Sequence, residues 1–212
     1  MTFVRPLAAA LLAACAISTV AVTSAVAAPP DPAQMVLQRQ DLPAGFALTG
    51  RRDRPNAAVA AETGVRLALL RSWGRTGGHE ATYDREVDPQ APPPGPASVI
   101  AVVSTYRSTA GLRSAFTASA ARIDRDGKPK HRPTKLGARL GDAARLWETR
   151  FEQDGVSVVL YTIVWRSRGA LGYLSVAGVR GRLKPADALA LARRQHARIV
   201  ATTAGETPGL VA

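Results

Sequence analysis

Three strand-like runs separated by short turns follow one another between residues 143 and 179, and no other stretch limits the fold as much. Residues 143–151 read as a strand, Gln153-Asp154-Gly155 as a turn carrying a hairpin dipeptide, and residues 156–166 as a second strand. Ser167-Arg168-Gly169 turns the chain again before a third strand over residues 170–179. Strands joined by such short turns pair antiparallel, so this segment is a meander. Tyr161 and Trp165 alternate in step with Val159 and Ile163 and share one face of it. That face is read as core; left open, it would make Tyr161 and Trp165 the lining of an apolar ligand groove.

The remaining elements are placed around the meander. Asp31-Pro32 reads as an N-cap and first helical position, and the short helix ends at Leu42-Pro43-Ala44-Gly45. Residues 50–58 are polar and read as loop. Alanines and leucines at helical spacing predict a helix over 57–71, weakened by Gly64. A strand of mixed polarity is expected over 79–87, and a Val- and Ile-rich one over 99–106. Ser108 caps a helix whose apolar face is Leu112, Ala115, Phe116, Ser119 and Ile123. Residues 124–135 read as a charged surface segment. A last helix over 185–200 turns Ala188, Leu191, Ala192, Gln195 and Ile199 to the core. The expected architecture is α+β: an antiparallel sheet of about five strands with helices packed on one face.

The first 28 residues have a different character. One charge, Arg5, precedes an apolar stretch with no further charge before Asp31, and small residues allow cleavage after Ala27 or Ala28. This is the pattern of a secretory signal peptide over residues 1–28. Leu12-Ala13-Ala14-Cys15 also has the form of a lipobox, which would make residues 1–14 a lipoprotein signal and Cys15 the lipidated residue. An uncleaved membrane anchor is the third reading. Residues 29–205 then form one domain, and 206–212 a frayed tail.

Cys15 is the sole cysteine, so the exported domain has no disulfide, thiol catalysis or cysteine-bound metal. The roughly 180 residues that remain suffice for one hydrophobic core. Net charge is +12 over 212 residues, falling to +11 without Arg5. Outside the cytoplasm such charge suits anionic lipid headgroups or acidic wall polymers. Lys128, Lys130, Arg132, Lys135, Arg139 and Arg145 are the densest basic segment and the candidate anionic-surface patch. No aromatic side chains are interleaved with it, and nucleic acid is not an expected partner.

Catalytic signatures are missing. His79, His131 and His196 have no partner at ligand spacing, and His79-Glu80 lacks the second histidine of a zinc-protease motif. No G-x-S-x-G elbow occurs. Glu80, Asp84 and Glu86 share a strand face, as carboxylates on an exposed strand commonly do. No catalytic residue, cofactor or metal is assigned, and oligomeric state is left open.

Several local features together carry a resemblance: Asp41-Leu42-Pro43-Ala44-Gly45-Phe46, Tyr106-Arg107-Ser108, Gly141-Asp142, Trp165-Arg166 and Ala192-Arg193-Arg194-Gln195. Over residues 33–200 the chain resembles small exported proteins and lipoproteins of actinobacteria and other GC-rich bacteria, some of which have a PsbP/Mog1-like fold. The resemblance implies an envelope-associated, non-enzymatic domain that binds envelope components or a protein partner. The alternative readings are a carrier or sensor of a small apolar ligand, and an enzyme of unknown class.

Overall fold

The meander lies at the centre of a larger sheet. In the computed structural model, which describes residues 30–88, 91–126 and 131–205, seven strands are all antiparallel: β1 (Ala47–Asp53), β2 (Arg75–Asp84), β3 (Ser98–Tyr106), β4 (His131–Thr134), β5 (Ala143–Gln153), β6 (Val156–Ser167) and β7 (Ala170–Val179). Their order is β1-β2-β3-β7-β6-β5-β4. Both hairpin turns of the meander place two consecutive residues at positive φ, Asp154 and Gly155, then Arg168 and Gly169. This geometry matches the strand twist. The helices are α1 (Pro32–Met35), α2 (Asn56–Thr63), α3 (Leu67–Ser72), α4 (Thr109–Asp126) and α5 (Pro185–Thr203).

The expected five strands are thus corrected to seven. The two additions are the edges: β1 in the region read as loop, and β4 inside the charged segment. Edge strands are commonly polar and Pro-bearing because they must not recruit further strands. β1 runs Ala-Leu-Thr-Gly-Arg-Arg-Asp, and β4 contains Pro133, so neither shows an apolar alternation. The expected placement of helices on one face is corrected as well. α1 and α5 cover one face, against Val99, Ala101, Val103, Ile163, Trp165 and Leu174. α4 packs Leu112, Ala120 and Ile123 on the other, against Trp147, Val164 and Leu171. The period-two alternation of β6 and β7 makes both faces apolar, and each needs a cover.

The α5 face is closed. Ala188, Leu191, Ala192, Gln195 and Ile199 are all buried, as is the run Met35, Val36 and Leu37. Across this layer Arg198 and Asp41 form a buried two-pronged ion pair; Nη2 donates to Oδ1 at 3.2 Å, and Nε donates to Oδ2. The same Oδ2 accepts the Gln38 backbone N–H at 2.7 Å. A buried pair need not stabilise relative to an apolar one, but removing one partner strands the other charge in the core. Asp41→Ala is therefore expected to destabilise the protein by about 3–5 kcal/mol in urea unfolding, with a large part recovered in Asp41→Ala/Arg198→Met.

Candidate functional site

The opposite face is only partly covered. Along β3, Val99, Ala101 and Val103 enter the closed core, so Ile100, Val102, Ser104 and Tyr106 point the other way. There α2–α3 stand over the β2 side and α4 over the β6–β7 side. Between them runs a groove of about 680 Å³, floored by Ile100, Val102, Val164, Leu171 and Tyr173. Ile100 is 36% exposed. Full burial of a side chain of this size is worth roughly 1.5–3 kcal/mol, so a ligand that covers the exposed third of Ile100 gains about a third of that.

Local sequence builds both walls. α2 ends at Gly64, whose left-handed φ of 67° caps the helix and separates it from α3. Ser108 Oγ accepts the Gly111 N–H at 3.1 Å at the start of α4. A β-carbon at Gly111 would lie 1.8 Å from the Trp73 carbonyl oxygen. Glycine there lets α4 meet the end of α3 backbone to backbone, which fixes the two walls relative to each other.

Six arginines and two glutamates line the groove: Arg52, Arg54, Arg66, Arg75, Arg122 and Arg125 against Glu62 and Glu80. Arg52 and Arg54 each pair with both glutamates, closing a four-membered ring. The other four arginines have no ion pair among the described residues. Arg75 is buried, at 4% exposure. Its Nη1 donates to Asn56 Oδ1 at 2.8 Å, and its Nε and Nη2 donate to Ser104 Oγ at 3.2 and 3.1 Å. Burial pushes this guanidinium's pKa down, and Arg54 nearby adds to the effect. Tyr106 beside it is held as the neutral phenol, its pKa pushed up to about 12 by burial.

Of the histidines and carboxylates singled out by sequence, Glu80 alone is among the residues that line the groove. His79 is buried on β2; its Nδ1 bonds to Asp53 Oδ1 at 2.8 Å, while its Nε2 accepts from Arg51 Nε at 3.0 Å. Because Nε2 is an acceptor, the proton sits on Nδ1 and both ring nitrogens are occupied. His131 lies on β4 against Thr149, rather than in a solvated loop. His196 is half-buried on α5, and its pKa is lowered by that burial. Glu80 belongs to the arginine ring, and Asp84 accepts from Thr49. No group of three His, Cys, Asp or Glu side chains among the described residues could hold a metal ion.

The other sequence candidates do not reach the groove. Tyr161 and Trp165 are 5% and 0% exposed and pack in the closed core beneath α5. Arg132 and Arg145 fall on opposite faces of the sheet, since Arg132 pairs across from Glu148 and β5 alternates. Arg145 is paired with Asp124 at 3.4 Å. Lys135 and Arg139 are exposed in the segment between β4 and β5. Lys128, Lys130, Cys15, the signal segment 1–28 and the tail 206–212 lie outside the described residues. Sequence reading missed Arg75 because it precedes Gly77-Gly78, which reads as the end of a helix rather than the start of a strand. A lone arginine between Trp73-Gly74 and Gly77-Gly78 was the available signal.

The arginine ring generates a pH dependence. Burial pushes the Glu80 carboxyl up, but hydrogen bonds and charge from Arg52 and Arg54 outweigh it and hold the pKa below the usual carboxylate range. A depressed folded-state pKa adds stability that is complete above the unfolded value and is lost as pH falls through the folded one. Glu80→Gln is expected to cost about 1–2 kcal/mol at pH 7. Its unfolding midpoint should also fall less steeply than the parent's on acidification below about pH 5.

No protein-family model matches the chain, and no curated protein is similar to it in sequence. Among solved structures, it is similar to the extracellular domain of PknH from Mycobacterium tuberculosis, at 10% identity and a TM-score of 0.46, covering 82% of this chain and 95% of that one. It is also similar to LpqN, involved in cell envelope biogenesis of Mycobacterium tuberculosis, at 18% identity and a TM-score of 0.30, over 52% of this chain and 67% of that one. Both are extracellular or envelope proteins of an actinobacterium. Scores below 0.5 at such identity assign this chain neither a family nor an activity.

Proposed function

We propose that the chain is an exported, non-catalytic binding domain of the cell envelope, holding the apolar part of a small ligand in the groove between α2–α3 and α4. The observation that carries this reading is the partly exposed apolar floor at Ile100 and Val102, flanked by two walls whose relative position is fixed at Gly111 and Trp73. Its volume lies within the range of small-molecule sites. Export is supported by the leader pattern of residues 1–28. Lipidation at Cys15 would place the groove close to a membrane surface.

A binding role is favoured over catalysis because the groove's glutamates are both engaged by arginines. A general acid or base needs a free proton position facing the ligand. The basic segment is the weaker candidate for a partner surface, since Arg132 and Arg145 face opposite ways.

Ile100 tests this reading, because its exposure makes substitution there tolerable for folding. Ile100→Asp is expected to weaken binding of a fluorescent fatty-acyl probe by about tenfold or more, with unfolding still cooperative and its midpoint only modestly lowered. Unchanged probe binding in that variant would remove the groove as the site.

A further inference from the structure

A smaller cavity of about 300 Å³ adjoins the groove and shares Arg75 with it. Its lining is Asn56, Arg71, Gly74, Arg75, Thr76 and Arg107: three arginines and no carboxylate. The three cations come from separate elements. Arg71 lies in the last turn of α3, Arg75 opens β2, and Arg107 directly follows β3. The main chain fixes where they start. Arg107 N–H donates to the Gly74 carbonyl at 2.9 Å, and Gly74 N–H donates to the Arg71 carbonyl at 2.8 Å.

None of the three has an ion pair among the described residues, whereas Arg52 and Arg54 nearby are both neutralised by glutamates. Three arginines line one small cavity with no carboxylate among its lining residues, and a buried member such as Arg75 is costly without a counter-charge. Neutral oxygens of Asn56 and Ser104 satisfy part of its hydrogen bonding and none of its charge. Arginine forks match the oxygens of a tetrahedral oxyanion through paired, charge-assisted hydrogen bonds.

We infer that the cavity formed by Arg71, Arg75 and Arg107 is an oxyanion subsite for a phosphate or sulfate group, and that the ligand of the adjoining groove is an amphipath carrying that group as its head. The tail half of this inference rests on the groove reading above; the head half stands on the arginine cavity alone. Arg75 lines both cavities, so head and tail would meet at its side chain. The oxyanion can come from a lipid-like headgroup or from free phosphate, and the two sources bind differently.

Calorimetry on the full chain at low salt tests it with three probes: decyl phosphate, decanol and inorganic phosphate. The variant is Arg71→Ala/Arg107→Ala, which changes two exposed side chains and leaves the buried Arg75 in place. Decyl phosphate is expected to bind at least about tenfold more tightly than decanol. The double variant should erase that advantage while keeping decanol affinity and unfolding midpoint. An advantage that survives the double variant overturns the subsite and leaves the groove intact. Equal, arginine-dependent binding of decyl phosphate and inorganic phosphate, with no binding of decanol, supports the subsite for a free oxyanion and overturns the groove. Binding of none of the three overturns both.

Discussion

The open side of the molecule depends on how one buried arginine is held. Arg75 begins β2 and reaches across to Ser104 on β3, while its side chain and carbonyl each bond to Asn56, the first residue of α2. This reciprocal pair, with Nδ2 of Asn56 donating to the Arg75 carbonyl at 3.0 Å, ties a helix of low amphipathicity to the sheet. α2 has no buried residue of its own, so polar contacts and the Glu62 end of the arginine ring hold it where packing cannot. With α2 placed, the groove acquires its second wall, and the cation that places it also faces both cavities.

The two faces of the sheet have divided the work. The face under α1 and α5 is filled by Trp165, Leu37, Ile163 and Leu174 and locked across by Asp41 and Arg198. Its side chains are almost wholly buried among the described residues. On the other face α4 covers β6 and β7 and takes in Tyr106 at the end of β3, but leaves Ile100 partly exposed. Ile100 is left partly exposed and Val102 half-buried at the floor of a concave, largely apolar groove, the setting in which small-molecule sites are commonly built.

What the sequence showed and what it hid follow from the range of the forces involved. The third strand of the meander is legible with its bounds over 170–179, because Asp154-Gly155 and Arg168-Gly169 announce the turns locally and the run between them is apolar on both faces. The helix at 57–71 was recognisable, and so was its weak point at Gly64, which splits it in two. β1 and β4 were hidden because an edge strand such as Gly50-Arg51-Arg52-Asp53 is selected to look unlike a strand. The face each helix covers is set by a crossover connection rather than by its own periodicity, so α4 and α5 could not be told apart. The site was hidden for a related reason. The densest basic segment is the conspicuous one in the sequence, whereas the arginines that line the small cavity are single residues at 71, 75 and 107, the last brought to the other two by the pairing of β2 with β3.

The central claim is that the α4 side of β3, rather than the face under α5, receives the ligand. Photolabelling the full chain with a decyl phosphate bearing a diazirine on its tail, followed by peptide mapping, tests this most directly. The account expects labels on the peptides carrying Ile100, Val102 and the inward side of α4, suppressed by excess unlabelled ligand. Labels confined to α5 and the Tyr161–Trp165 face, or to the N-terminal leader, would contradict it.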